Sequence, residues 1–263
     1  MKKNNINLIS ILVTNFNKEK FIKKSIKSIL DQSFKNYEII LFDDCSTDNS
    51  IAKIKNFKNI KLIRNNKKKF NSSPLNQMYG ILSAFKKSKG NLICLLDSDD
   101  IFEKKKLKEV SDFFNRNKNI DLVANLPNND SYFKLKRRTV SSFNWPSIFP
   151  TSCISFRRKF FNNFKKCMYI NKFNNLEIDA RLIIYSYFFK NFDIIEKRLT
   201  KYTSDEEGIS SKYKKFSIYW WFKRKEAFDY LSLVLVKRKL NFPKTLDYYF
   251  TNLVYFFLNL FKK

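Results

Sequence analysis

Asn91-Leu92-Ile93-Cys94-Leu95-Leu96-Asp97-Ser98-Asp99-Asp100 is an apolar run that stops abruptly in three acids. Its five apolar residues suit a strand buried on both faces, too short for a helix of ordinary length. Side chains two apart on extended backbone point the same way, so Asp97 and Asp99 face one spot. Two carboxylates there repel each other, and a hard divalent cation such as Mg²⁺ or Mn²⁺ relieves the repulsion through oxygen ligands. A solvated acidic turn would carry the same letters. The placement at a strand end, in a chain with 24 acids against 52 Lys and Arg, favours the metal-phosphate reading.

Outward from this run the chain alternates strand and helix. Residues 6 to 13 form a branched apolar strand, followed by the turn Thr14-Asn15-Phe16-Asn17 and a helix placing Phe21, Ile22, Ile26, Ile29 and Leu30 on one face. A second strand, Tyr37 to Phe42, ends in Asp43-Asp44-Cys45-Ser46-Thr47-Asp48, with Asp48 expected to cap the next helix. Ile60 to Arg64 reads as a third strand, Leu75 to Lys87 as a helix and Asn91 to Leu96 as the fourth strand. This order predicts an α/β fold with a Rossmann-like, mostly parallel sheet flanked by helices. Ligands of such sheets bind beyond the carboxyl ends of the strands, where all three polar clusters fall. Asp43 and Asp44 are placed to accept hydrogen bonds from a base or ribose.

The second half is less regular. Pro127, Pro146 and Pro150 mark a loop-rich region over the site, and Leu176 to Phe189 looks helical. From Tyr219 two basic, aromatic helices are expected, separated near Asn241-Phe242-Pro243. In the last one Leu246, Tyr249, Phe250, Leu253, Phe256, Phe257 and Leu260 project to one side, with Asp247, Thr251, Tyr255, Asn259 and Lys262 opposite. It is shorter than the ~20 residues needed to cross a bilayer, so it either packs on the domain or lies on an anionic leaflet.

The 263 residues have a net charge of +28, which favours anionic partners, although lysine is spread along the whole chain. Four scattered cysteines without a C-x-x-C pair, and no leader-like start, point to reduced thiols in the cytoplasm. The absence of histidine excludes Ser-His-Asp and Cys-His mechanisms, so carboxylates must supply acid-base and metal chemistry. Nucleic-acid binding is compatible with the charge and the 17% aromatic content, but the basic residues form no stripe and no binding motif is present.

One resemblance is specific. Ser10-Ile11-Leu12-Val13-Thr14-Asn15-Phe16-Asn17, Ser28-Ile29-Leu30-Asp31-Gln32-Ser33-Phe34, Tyr37-Glu38-Ile39-Ile40, Asp43 to Ser50 and Leu95-Leu96-Asp97-Ser98-Asp99-Asp100 occur in the order found in family 2 glycosyltransferases of GT-A fold. The likeness is strong over residues 6 to 115. It continues to about residue 212 through Pro150-Thr151-Ser152, Asp179-Ala180-Arg181-Leu182 and Leu199-Thr200-Lys201-Tyr202. It implies a GT-A domain over residues 1–215, with a nucleotide-sugar half (1–125) and an acceptor half (126–215), and basic helices over 216–263.

The resemblance also implies roles. Thr14, Phe16 and Asn17 would line the nucleotide pocket, and Asp44 with Asp43 would meet the base, commonly uracil. Ser98 would lie by the ribose and Asn76 near the donor sugar. Asp99, with Asp97 directly or through water, would hold Mn²⁺ or Mg²⁺ on the diphosphate. Asp179 matches the catalytic base, with Glu177 as the alternate because the usual adjacent Glu-Asp is here Glu177-Ile178-Asp179. Many relatives carry Gly and Arg where this chain has Asn71 to Asn76, and the late histidine some place near the metal is missing, its region holding Tyr202, Asp205 and Ser210. The implied activity is inverting transfer from a nucleotide-diphosphate sugar, expected to be a UDP-sugar, to a glycan or lipid-linked acceptor in bacterial cell-surface polysaccharide synthesis, at the inner face of the plasma membrane. The competing expectations are a metal-dependent nucleotidyltransferase and an inactive relative. Selectivity is expected from the loop Val140 to Ser155.

Overall fold

The computed structural model describes residues 7–128, 148–187, 191–203, 213–242 and 244–260. Asp205, Ser210, Pro146 and the first half of the 140–155 loop, residues 140–147, therefore lie outside the described residues.

The strands are β1 (Ile9–Asn15), β2 (Tyr37–Asp43), β3 (Ile60–Arg64), β4 (Leu92–Asp97), β5 (Ile101–Phe102), β6 (Leu122–Pro127), β7 (Ile154–Arg157) and β8 (Phe192–Lys201). They form one eight-stranded sheet in the order β3-β2-β1-β4-β7-β6-β8-β5. The pairs β2–β3, β1–β2, β1–β4 and β6–β8 are parallel, whereas β4–β7, β6–β7 and β5–β8 are antiparallel. The parallel majority is thus narrow. The expected parallel pattern holds through β4, and β7 then enters beside β4 running the opposite way, making the sheet mixed.

Alternation along the central strands builds two cores. Leu12, Ile40, Phe42, Ile93 and Leu95 point to one face, where they meet α3 (Ser73–Lys87), α5 (Arg158–Phe164), α6 (Ile178–Tyr187) and α7 (Ile218–Lys237). Ile11, Val13, Ile39, Leu41, Cys94 and Leu96 point to the other, against α1 (Ile22–Leu30) and α4 (Lys106–Arg116). Burial on both faces is the reason these strands read as continuous apolar runs.

The remaining helices are α2 (Ser50–Ile54) and α8 (Leu246–Leu260). Asp48 does not occupy the cap position of α2. That place is Asn49, which makes no capping bond, while Asp48 accepts from the Ser50 and Glu19 N–H groups at 2.9 Å each. It thereby ties the turns after β1 and β2 together. The strand β1 also runs two residues further than expected, so that Thr14 pairs in register with Asp97, and Asn15 with Asp43. All four cysteines are free thiols.

Helix α7 shares the core through Ala227, Tyr230, Leu231, Val234 and Leu235. Helix α8 is held by α7, and only its Thr251 is buried. Among the described residues no helix is long and apolar enough to cross a membrane.

Candidate active site

The carboxyl ends of β1, β2 and β4 open onto a cleft of about 1280 Å³. Its floor carries Thr14, Phe16, Asn17, Asp44, Asn76, Asp97, Ser98 and Asp99, and its far wall carries Glu177, Asp179, Tyr213, Tyr219 and Lys223. Every expected site residue except Asp43 therefore lines one cavity.

Asp97 ends β4. Its Oδ1 accepts from Thr14 Oγ1 at 2.7 Å and from Gln77 Nε2 at 2.8 Å, while its N–H donates to Ser152 Oγ at 2.9 Å. Burial and then the neighbouring Asp99 charge push its carboxyl up to about 6, against the lowering effect of Thr14, Gln77 and Lys18. Asp99 is paired with Lys18 at 2.8 Å. Asp100 turns inward, takes the Thr203 N–H at 2.8 Å and is pushed up to about 8 by burial and by Asp97. Behind it the buried Lys106 donates to Thr200 Oγ1 at 2.9 Å and to the Ser152 carbonyl, and burial lowers it to about 8.

This acid group fits a hard cation. Asp97 and Asp99 offer carboxylate oxygens under mutual repulsion, and a cation is what such a pair favours. Among the described residues no group of three or more His, Cys, Asp or Glu is placed to hold a metal ion by itself. A divalent ion held by these two would need phosphate or water oxygens to complete its shell, as Mg²⁺ commonly does.

The turns that follow β1 and β2 are strained. Asn17 and Cys45 have φ of 50° and 53°, the left-handed region that side chains other than Asn and Gly seldom adopt. Asn17 is locked there by its own N–H to Ser46 Oγ (3.0 Å) and by the Thr47 N–H on its Oδ1 (2.9 Å). Phe16 stays largely exposed, with Lys68 Nζ 3.8 Å from its ring centroid. Asp44 lines the cleft and accepts from Asn65 Nδ2 at 3.1 Å.

Asp43 does not reach the cleft. Its side chain is wholly buried and taken up by Asn15 Nδ2 (2.8 Å) and Ser46 Oγ (2.6 Å). Adjacent residues on a strand point to opposite sides, and here the pair is split between inside and cleft. Ser98 lines the cleft but is almost fully buried, and Asn76 uses both ends of its amide on the Phe70 backbone, at 2.9 and 2.8 Å. Asn76 thus fixes the Phe70 loop.

On the far wall Asp179 sits in the first turn of α6, its carboxylate accepting the Ala180 N–H at 2.6 Å. Burial, then the charge of Glu177, push it up to about 7, with Lys223 acting the other way. Glu177 is buried and paired with Lys223 at 2.5 Å. The charge of Asp97 also raises Asp179, so the two acids sense each other across the cleft. The preceding loop is wrapped around Arg181, whose guanidinium donates to the carbonyls of Met168 (2.5 Å), Phe173 (2.7 Å), Lys172 (2.9 Å) and Leu176 (3.0 Å). That role accounts for an arginine two residues after the acid. Lys18, Gln77, Ser152 and Lys223 were missed as site residues by sequence reasoning, although Ser152 stood in the family-like stretch Pro150-Thr151-Ser152 and Lys18 directly follows the polar turn after β1.

Residues 10–178 match Glycosyl transferase family 2, and the chain belongs to that family. Among curated relatives, an uncharacterized glycosyltransferase of Haemophilus influenzae is 37% identical over 117 residues, covering 43% of this chain and 44% of the relative. The UDP-Glc:alpha-D-GlcNAc-diphosphoundecaprenol beta-1,3-glucosyltransferase WfgD of Escherichia coli is 37% identical over 103 residues, 38% of each chain. The matches thus span less than half of these relatives. Among solved structures, Staphylococcus aureus TarS 1-349 in complex with UDP superposes with a TM-score of 0.63 at 18% identity, over 89% of this chain and 67% of that one. The mannosyltransferase PcManGT of Pyrobaculum calidifontis, in complex with GDP-Man and Mn²⁺, gives 0.60 at 13% identity, over 90% and 66%. The fold is that of the GT-A glycosyltransferases.

Proposed function

We propose that the chain is an inverting glycosyltransferase that moves a sugar from a nucleotide-diphosphate donor, a UDP-sugar, to a hydroxyl of a glycan or lipid-linked acceptor in bacterial cell-surface polysaccharide synthesis. The observation that carries this reading is the pairing of two acid groups in one cleft: Asp97 and Asp99 at the sheet edge, and Asp179 on the opposite wall. The E. coli relative's diphosphoundecaprenol substrate and the UDP bound to TarS agree with the acceptor and donor classes.

The base and ribose lie over Thr14, Phe16, Asn17 and Asp44, with Phe16 offering a ring face and Asp44 a hydrogen-bond acceptor. The Lys18 ammonium, already beside Asp99, adds positive charge where the leaving diphosphate gains negative charge. When bound by Asp97 and Asp99, Mn²⁺ or Mg²⁺ supplies further charge neutralisation at that diphosphate. Asp179 takes the acceptor hydroxyl's proton, a task suited to a carboxyl whose pKa is tuned up to about 7. A single base acting without a covalent sugar intermediate corresponds to single displacement and inversion. The acceptor would be met at the inner leaflet of the plasma membrane.

A thermal-shift screen with UDP, GDP, CMP and their sugar conjugates, with and without Mn²⁺, tests the donor site. At a hundredfold excess over Kd, one nucleotide diphosphate should raise Tm by about 5 °C, and Asp99→Ala should abolish the shift. No shift with any of them would overturn the reading in favour of an inactive relative. A shift that persists in Asp179→Asn while sugar transfer is lost separates glycosyl transfer from nucleotidyl transfer, which does not require that acid.

A further inference from the structure

Helix α8 is oriented opposite to a helix packed by its apolar face. Leu246, Tyr249, Phe250, Leu253, Phe256, Phe257 and Leu260 are 49–88% exposed, while the polar side faces α7. Thr251 accepts from Arg224 Nε at 3.1 Å, Asp247 is ion-paired with the same guanidinium, and Tyr255 packs edge-on against Phe222. These contacts fix the rotation of the helix. Seven large apolar side chains on one outer face exceed the scattered exposure normal for a soluble surface.

The face does not end with α8. Trp221 and Phe250 stack edge-to-face at 5.7 Å, and at the start of α7 Phe216, Ile218 and Tyr219 are more than half exposed. Tyr219 also lines the cleft. An apolar surface therefore runs from the outer face of α8 to the rim of the candidate active site.

Its surroundings are basic. Residues 213–263 contain eleven Lys or Arg and three acids. Of those acids Asp247 is paired with Arg224, Asp229 with Lys225, and Glu226 accepts from Asn175. Lys214, Lys215, Lys237, Arg238, Lys239 and Lys244, before α7, at its end and on the segment that leads into α8, are exposed. A second copy of the chain would bring an equally basic rim against this one, with +28 on each partner. An anionic bilayer presents the complementary charge and an apolar phase together. At about 22 Å the helix lies in the interface and cannot span it.

We propose that the outer face of α8, continued by Phe216, Ile218 and Tyr219, docks on an anionic lipid bilayer and holds the mouth of the cleft against it. The bound orientation delivers the sugar end of a lipid-anchored acceptor to Asp179 while its hydrocarbon stays in the membrane. That last step rests on the proposed activity; the docking rests on α8 itself.

The test is co-sedimentation of the full chain with phosphatidylcholine vesicles, with and without phosphatidylglycerol, at low and high salt. The chain should bind the anionic vesicles at low salt. Leu253→Asp combined with Phe257→Asp, two solvent-facing changes, should reduce binding about tenfold or more. The double variant should keep the wild-type nucleotide thermal shift, which verifies its fold. Absence of binding to anionic vesicles, or a double variant that binds equally well, overturns the proposal. A lipid-free dimer in sedimentation velocity that the same variant dissociates assigns the face to a second copy and also overturns it. Loss of the docking result with nucleotide binding intact leaves the proposed activity standing. Vesicle binding without nucleotide binding has the opposite meaning.

Discussion

The acid limb of the pH-rate profile tests the far wall of the cleft. A solvated aspartate ionises near 3.9, but Asp179 is pushed up to about 7, first by burial and then by Glu177. If it is the base, the enzyme is about one-tenth competent at pH 6, half at pH 7 and nine-tenths at pH 8. The assay is release of UDP from whichever UDP-sugar gives the largest thermal shift, with water as acceptor and saturating Mn²⁺ and donor. Saturation matters because Asp97, pushed to about 6, titrates in the same region. Two variants should move the limb in opposite directions. Glu177→Gln removes a repelling charge and frees Lys223 to face Asp179, shifting the limb to lower pH. Lys223→Met leaves the Glu177 charge unopposed and shifts it higher. Asp179→Asn should cost roughly 10²–10⁴-fold in rate, about 3–5 kcal/mol of barrier, and remove the limb. A limb near pH 4 that neither variant moves would refute the assignment, as would full activity in Asp179→Asn.

Two further outcomes concern the fold. Asp97, Asp179 and Asp100, raised to about 6, 7 and 8, keep protons in the native state that the unfolded chain releases above about 4. The native state then binds more protons than the unfolded state, so stability must fall as pH rises from 5 to 8; a metal-free Tm that stays flat or rises over that window would contradict these shifts. Gly90→Ala should lower Tm by about 2–6 °C, equivalent to ~1–3 kcal/mol, because its Cβ would lie 2.6 Å from the Ser10 backbone nitrogen and 2.7 Å from the Leu8 carbonyl; an unchanged melting curve would contradict that packing.

The N-terminal half of the fold was legible because its central strands are buried on both faces and their polar ends abut them directly in sequence. Strands β5 and β7, of two and four residues, are too short to carry a period, and β8 mixes Asp193, Glu196, Lys197 and Arg198 into a ten-residue strand. None of these was read as a strand from pattern. In the site, residue type and strand end identified Asp97, Asp99 and Asp44. The inward turn of Asp43 follows from alternation and could have been read. The roles of Gln77, Ser152 and Lys223 could not, since Gln77 and Lys223 reach the cleft, and Ser152 reaches the Asp97 N–H, from elements whose register depends on tertiary packing.

The two walls of the cleft differ in how they are built, and the difference bears on what each recognises. The wall proposed to hold the donor comes from loops that follow β1, β2 and β4 directly, all inside the span matched by the family. The opposite wall is assembled from α6, α7 and the residues just before them, and of its side chains Asp179, Tyr213, Tyr219 and Lys223 lie beyond residue 178 while Glu177 lies within the matched span. The loop before α6 is tied to both halves, by Ser72 Oγ donating to the Asn174 carbonyl at 2.6 Å and by Glu226 accepting from Asn175 at 2.7 and 2.8 Å. A nucleotide diphosphate presents much the same charge and ring whatever sugar it carries, so one wall can serve many relatives. The acceptor has no such constant part. The helix that reaches the proposed base through Lys223 and Glu177 also carries α8, so the proposed catalysis and the proposed surface docking would share one element, α7.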